Sequence, residues 1–165
     1  MLKTVLFGFM LFTFLIPGKT ANLHVCDAKI DTSIDSTLLK ELNQYWHDLS
    51  RTVREGDFAG YASLYHTDAV VVFGVGSSKI SVSISKALKG WKQGFEDTKA
   101  GKANSNVRFR ISQRINDGET AHESGIFHYT SKDQKGDSEI SQYVKFEMLL
   151  VKKDGKWLGL MEYQR

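Results

Sequence analysis

The chain has a single cysteine, Cys26, and a single proline among 165 residues, with no internal repeat and no low-complexity tract. A lone cysteine excludes an intrachain disulfide, so the chain must hold itself together by packing. An excess of one charge is missing as well: 22 Lys and Arg stand against 19 Asp and Glu, for a net charge of +3. The basic residues form no stripe interleaved with aromatics, so no nucleic acid is expected as a partner. No histidine, cysteine or carboxylate set stands at the spacing of a helical zinc site or a calcium loop, so neither a metal nor a cofactor is expected.

A long hydrophobic run is absent too. The longest, within TVLFGFMLFTFLIP after Met1-Leu2-Lys3, spans about 14 residues, short of the ~20 that a bilayer requires. A short positive start, an apolar core and the small-residue exit GKTA instead read as a secretory signal peptide over residues 1–21. Residues 22–35 then form a linker, and residues 36–165 are expected as a secreted or periplasmic domain with no membrane contact after cleavage. An uncleaved anchor is the alternative, because Lys19 sits poorly before a cut after Ala21. Cys26 reads as a free thiol in the linker, since Val25 stands where a lipid-acceptor motif wants a small residue.

What is present describes one globular domain. Hydrophobic residues make up 41% of the chain, enough to bury a core. Leu38, Leu39, Leu42, Tyr45, Trp46, Leu49 and Val53 recur at helical spacing, with Ser36 as start signal and Gly56 as stop. Asp57 is placed to cap a second, shorter helix with Phe58, Tyr61, Leu64 and Tyr65 inward. AVVVF (69–73) reads as a short strand, and GVGSS (74–78) as a loop that resembles a phosphate loop only superficially, because it lacks the Lys-Ser/Thr pair and the strand-to-helix setting. Ile84, Ala87, Leu88, Trp91 and Phe95 share one face of a third helix from about Ser83 to Lys99, which Gly90 and Gly94 weaken.

Two hairpins complete the chain. In the first, with a two-residue Asp117-Gly118 loop, Val107, Phe109 and Ile111 share a face with His122, Ile126 and His128. Arg108, Arg110 and Arg114 share the other with Ala121, Glu123 and Phe127. In the second, Asp154-Gly155 supplies the turn. Lys153 then faces Lys156, Val151 faces Leu158, Leu149 faces Leu160, Glu147 faces Glu162 and Lys145 faces Gln164. One of its faces carries Tyr143, Lys145, Glu147 and Glu162. The other carries Val144, Phe146, Met148, Leu150, Trp157 and Met161, too apolar a set to be left against water. Helices followed by long antiparallel strands predict an α+β fold, a curved antiparallel sheet packed on an N-terminal helical hairpin and a third helix.

GDFAGYASLYHTDAVVVF and the closing LLVKKDGKWLGLMEYQ resemble the NTF2-like superfamily, in particular its SnoaL-like and DUF4440-type members, over roughly Thr37 to Gln164. The resemblance implies a ketosteroid-isomerase-like cone enclosing a pocket, and pairing of subunits through the sheet. It does not imply steroid isomerisation: the positions of that enzyme's catalytic tyrosine and aspartate base are held by Leu49 and Phe73, and only its third group, at Glu147, keeps a carboxyl. The same alignment turns Glu147, Leu160 and Glu162 toward the cavity and leaves Val144, Phe146, Met148, Trp157 and Met161 outside, as the face of a homodimer.

The candidate site follows. Glu147 opposite Glu162 is a pair in which one carboxyl would keep its proton, with Lys145 beside it able to neutralise one instead. His128 is the candidate general base, although a histidine on an apolar face is also an ordinary core residue. Tyr45, Trp46, Tyr61, Tyr65, Trp91 and Tyr143 are the aromatic supply for a pocket, and their polar tips favour a partly polar, ring- or amide-containing ligand. Three functions are compatible with this sequence: binding of a small organic molecule, a cofactor-free lyase or isomerase using a raised-pKa glutamate with a histidine or tyrosine, and an assembly domain whose cone is filled.

Overall fold

A computed structural model describes residues 36–74, 79–135 and 138–165. The expected signal peptide, the expected linker with Cys26 and most of the GVGSS loop lie outside the described residues. The elements run α1 (Ser36–Glu55), α2 (Phe58–Ala62), β1 (Tyr65–Phe73), β2 (Ile80–Ser83), α3 (Ile84–Lys99), β3 (Ala103–Asn116), β4 (Thr120–Asp133), β5 (Glu139–Lys153) and β6 (Lys156–Gln164). The six strands form one sheet in the order β2-β1-β6-β5-β4-β3. Every neighbouring pair is antiparallel except β1 with β6.

The helices form for the reasons their sequence suggests. Leu42, Tyr45, Trp46, Leu49 and Thr52 make the buried stripe of α1. It stops at Gly56, whose φ of 66° is a left-handed value, and a Cβ there would lie 2.4 Å from the Lys99 backbone nitrogen at the end of α3. That close approach seats the ends of α1 and α3 against each other and leaves room only for glycine. Asp57 then caps α2 by accepting from the Gly60 N–H at 2.9 Å. Two details differ from expectation. Tyr65 opens β1 rather than ending α2, and the four-residue edge strand β2 is additional, too short to announce itself by alternation.

The sheet departs further, and at two points. The closing hairpin turns at Asp154 and Gly155, both at positive φ, and starts in the expected register with Lys153 on Lys156 and Val151 on Leu158. After Leu150 meets Gly159 the pairing slips: Leu149 meets Met161, Met148 meets Glu162 and Glu147 meets Tyr163. Leu160 is the extra residue of a β-bulge, and everything beyond it changes face. Gly159 marks the spot because a Cβ there would sit 2.9 Å from the Tyr45 hydroxyl and 3.0 Å from the Tyr65 ring.

The β3–β4 hairpin repeats the pattern. Asp117 accepts from the Glu119 and Thr120 N–H groups and from the Thr120 hydroxyl, which lengthens the loop so that Asn116 pairs with Ala121. Arg114 still faces Glu123, as the face assignment predicts. Between Gln113 on Ser124 and Ile111 on Gly125 a second bulge inserts Ser112. Past it Phe109 faces Phe127 and Arg108 faces His128, reversing the expected grouping. A Cβ on Gly125 would lie 2.1 Å from the Arg110 carbonyl oxygen, so this bulge too stands opposite a glycine.

The apolar side of the sheet is therefore its inner side. Phe146, Met148, Leu150 and Trp157 are buried in the core with Leu42, Trp46 and Leu49 of α1. This corrects the expectation that Phe146, Met148 and Trp157 face a second subunit. The Trp157 indole N–H donates to Glu41 of α1 at 3.1 Å. Tyr143, Lys145 and Glu147 lie on the outer face.

Candidate functional site

Between the helices and the inner face of the sheet lies a cavity of about 380 Å³. Trp46, Leu49 and Val53 of α1 form one wall, Tyr61, Trp91 and Phe95 of α2 and α3 another, and Val107, Phe109, Phe127, Val144 and Phe146 the sheet side. Gly90 and Gly94 of α3 and Gln142 of β5 also line it and are themselves exposed, so they mark where the cavity meets the surface. No atom lies within 4 Å of a Cβ built on either glycine. The two residues that weaken α3 as a helix are those that leave the mouth open.

The polar lining is concentrated at one end. Glu162 is 7% exposed; the bulge at Leu160 turns it inward. One carboxylate oxygen accepts from the Tyr65 hydroxyl at 2.6 Å and the other from the Gln164 amide at 2.7 Å. The Tyr61 hydroxyl lies 3.2 Å from that of Tyr65, giving a chain from the α2 wall to the carboxylate. Burial pushes the Glu162 carboxyl above its usual range, against the opposing pull of the Tyr65 and Gln164 hydrogen bonds. Burial likewise raises Tyr61 and Tyr65, with the negative charge of Glu162 adding to it, so both phenols stay protonated donors. A second polar group lies toward α3, where the Thr98 hydroxyl donates to Ser105 at 2.8 Å and Ser105 meets Ser131 at 3.0 Å.

The residues singled out from the sequence divide between two sides of the sheet. Glu162, Tyr61, Tyr65, Trp46 and Trp91 meet at the cavity. Tyr45 is buried beside it, its hydroxyl without a hydrogen-bond partner. Glu147, Lys145, Tyr143 and His128 sit on the outer face, which corrects the expected pairing of Glu147 with Glu162. Glu147 there meets Arg165 at 3.0 Å and His122 at 3.6 Å. His128 stacks on the ring of Tyr143 at 4.0 Å and is bonded to Ser141.

Sequence reasoning passed over Glu123. It is fully buried under α1, where the Trp46 indole N–H donates to it and the Arg114 guanidinium lies 2.5 Å away. Its position opposite Arg114 on one strand face was the available signal. Burial raises its carboxyl too, opposed by Trp46 and by the charge of Arg114. Among the described residues no three histidines, cysteines or carboxylates gather as a metal would need, and no helix is long and apolar enough to cross a membrane.

Comparison with known proteins agrees with this architecture. The model of a SnoaL-like domain matches residues 39–159. Among solved structures, an NTF-2 like protein of unknown function from Shewanella oneidensis is similar with a TM-score of 0.60 and 16% identity, over 76% of this chain and 97% of that one. A conserved protein from Planctomyces limnophilus gives 0.64 at 10% identity, over 76% and 92%. A ketosteroid isomerase-like protein from Erwinia carotovora atroseptica gives 0.58 at 12%, over 78% and 95%. No curated protein matches. At such identities the likeness to solved structures is one of fold. The family match spans most of the chain and the bulged sheet over three helices is the cone of those structures; the protein belongs to the SnoaL-like family and has the fold of the NTF2-like proteins.

Proposed function

We propose that this protein binds a small organic molecule inside its cone. The observation that carries the reading is a cavity that meets the surface at two bare glycines and ends at a buried carboxylate. Its volume falls within the roughly 300–1,000 Å³ of small-molecule sites. A filled cone, as an assembly domain would have, is disfavoured by that same volume. The signal-like pattern of residues 1–21 is the support for proposing that the domain is delivered to the periplasm or the cell exterior.

The test uses the mouth. Gly90→Leu with Gly94→Leu places two side chains over the opening without touching anything buried, and removing two helical glycines should raise stability by about 1 kcal/mol each. Native mass spectrometry of the protein from its own source should find a retained small molecule in the wild type and none in the double variant. Equal retention by both would overturn the assignment to this cavity.

A cofactor-free proton transfer, as in a lyase or isomerase, is the second reading, favoured by the buried Glu162 and the Tyr65 hydroxyl lying together at the cavity. Glu147 and His128 take no part in it, being on the far side of the sheet. Recovery of the retained molecule unchanged after incubation with fresh protein would argue for binding alone.

A second copy of the chain is the partner proposed for the sheet's outer face. The support is now Ile115, Ile126 and Tyr143, which are 59%, 41% and 74% exposed, and no longer the Phe146 side. Light scattering that gives a monomer at micromolar concentration would remove it.

A further inference from the structure

Among the described residues the cavity has one carboxyl group and no cation to match it. Glu162 is the only acidic residue that lines it, and no lysine, arginine or histidine is among the others. Both hydrogen bonds to its oxygens come from neutral donors, Tyr65 and Gln164. The other buried carboxylate, Glu123, has Arg114 against it. Leaving a charge buried among neutral groups is costly, and proteins ordinarily pair it.

The rings beside Glu162 add a second, independent feature. Tyr61 packs at 5.5 Å on Tyr65 and edge-on at 5.9 Å to Trp91, ring centroid to ring centroid, and all three line the cavity. Aromatic rings attract cations through the ring quadrupole, most strongly where water is excluded. Further along, Phe109, Phe127, Val144 and Phe146 offer only apolar surface.

Resting on the ligand-binding reading above, we propose that the ligand is a small organic cation. It carries an ammonium or comparable nitrogen centre that lies between Glu162 and the Tyr61, Tyr65 and Trp91 rings, and an apolar ring or chain that lies against Phe109, Phe127 and Phe146. An anion of the same size is disfavoured, since it would meet Glu162 with nothing to offset the repulsion. A neutral molecule would fill the apolar part and leave the carboxylate as it is.

Three benzyl probes separate these cases: benzyltrimethylammonium, its uncharged carbon isostere neopentylbenzene, and the anion phenylacetate. Trp46 and Trp91 line the cavity, so indole fluorescence of the intact protein reads occupancy. At about pH 8 the cation should bind about tenfold or more tighter than the neutral isostere, a difference of about 1.4 kcal/mol, and phenylacetate weakest. Glu162→Gln should abolish the preference for charge while keeping the binding of neopentylbenzene. If the isostere or phenylacetate binds as tightly as the cation, the cationic ligand class is wrong and the cavity still binds. If none of the three binds, the ligand-binding reading itself falls.

Discussion

Glu123 and Glu162 are both carboxylates on the inner side of one sheet, both are buried, and burial raises both above the usual carboxylate range. They differ in what the chain places against them. Glu123 on β4 receives the guanidinium of Arg114 from the neighbouring strand and the indole of Trp46 from α1, so the charge is answered internally and ties helix to sheet. Glu162 on β6 receives only a phenol and an amide, and it opens onto the cavity. The first arrangement is complete in itself and serves the fold. The second has no counter-charge among the described residues, and either a proton or a bound cation would relieve it.

The most damaging way to test that contrast is to take the cation from Glu123. Arg114→Met keeps much of the side chain's volume and leaves Glu123 without a counter-charge under α1. Removing one partner of a buried pair costs about 3 kcal/mol or more, which urea unfolding would read as a lower midpoint with an unchanged slope. Arg114→Lys should recover part of the loss. A loss below about 1 kcal/mol would mean that Glu123 is held by Trp46 alone and that the two carboxylates are alike.

At Glu162 the sign should reverse. Its carboxyl is raised in the folded protein, so the protonated form is the one folding favours. The stability it contributes is complete at pH values below the ordinary carboxylate range and is lost as pH rises through the raised value. The groups that face it are Tyr65 and Gln164 by hydrogen bond and Tyr45 and Tyr61 through space, all neutral. Glu162→Gln can still accept from Tyr65. It should match the wild type at about pH 4 and exceed it by on the order of 1 kcal/mol at about pH 8. Thermal unfolding across that range would show it, and a variant less stable than wild type at the higher pH would place an unrecognised cation near Glu162.

These two residues also show where the sequence could be read and where it could not. The helices were legible because their apolar stripes, the Gly56 stop and the Asp57 cap are local, and both hairpin turns were legible because Asp117-Gly118 and Asp154-Gly155 punctuate alternating runs. The grouping of residues on a common face held as far as the bulges at Ser112 and Leu160 and inverted beyond them, since one extra residue moves every later side chain to the other side. That alone moved Glu162 away from Glu147 and sent His128 to the outer face. The hint was in the sequence, as single glycines at 125 and 159 inside strand patterns. Weighing apolarity would also have served better than alignment on the closing turn: Phe146, Met148 and Leu150 were recognised as too apolar for water, and the core is where they are.

The smallest effect tests whether the two carboxylates are independent at all. The Tyr45 hydroxyl is buried against Gly159 with no hydrogen-bond partner; burial raises it, and the negative charges of Glu162 and Glu123 add to that. It lies within the electrostatic reach of each. If it makes no bond to either, Tyr45→Phe removes only an unsatisfied polar group, and stability should stay within about 0.5 kcal/mol of wild type or rise slightly. In the same background the losses and gains from Arg114→Met and Glu162→Gln should then add. A cost above about 1 kcal/mol, or non-additivity of the other two that disappears when Tyr45 becomes phenylalanine, would mean that this hydroxyl couples the sites. The charge answered by Arg114 would then influence the one facing the cavity, and the ligand preference proposed for Glu162 would have to respond to Arg114→Met as well.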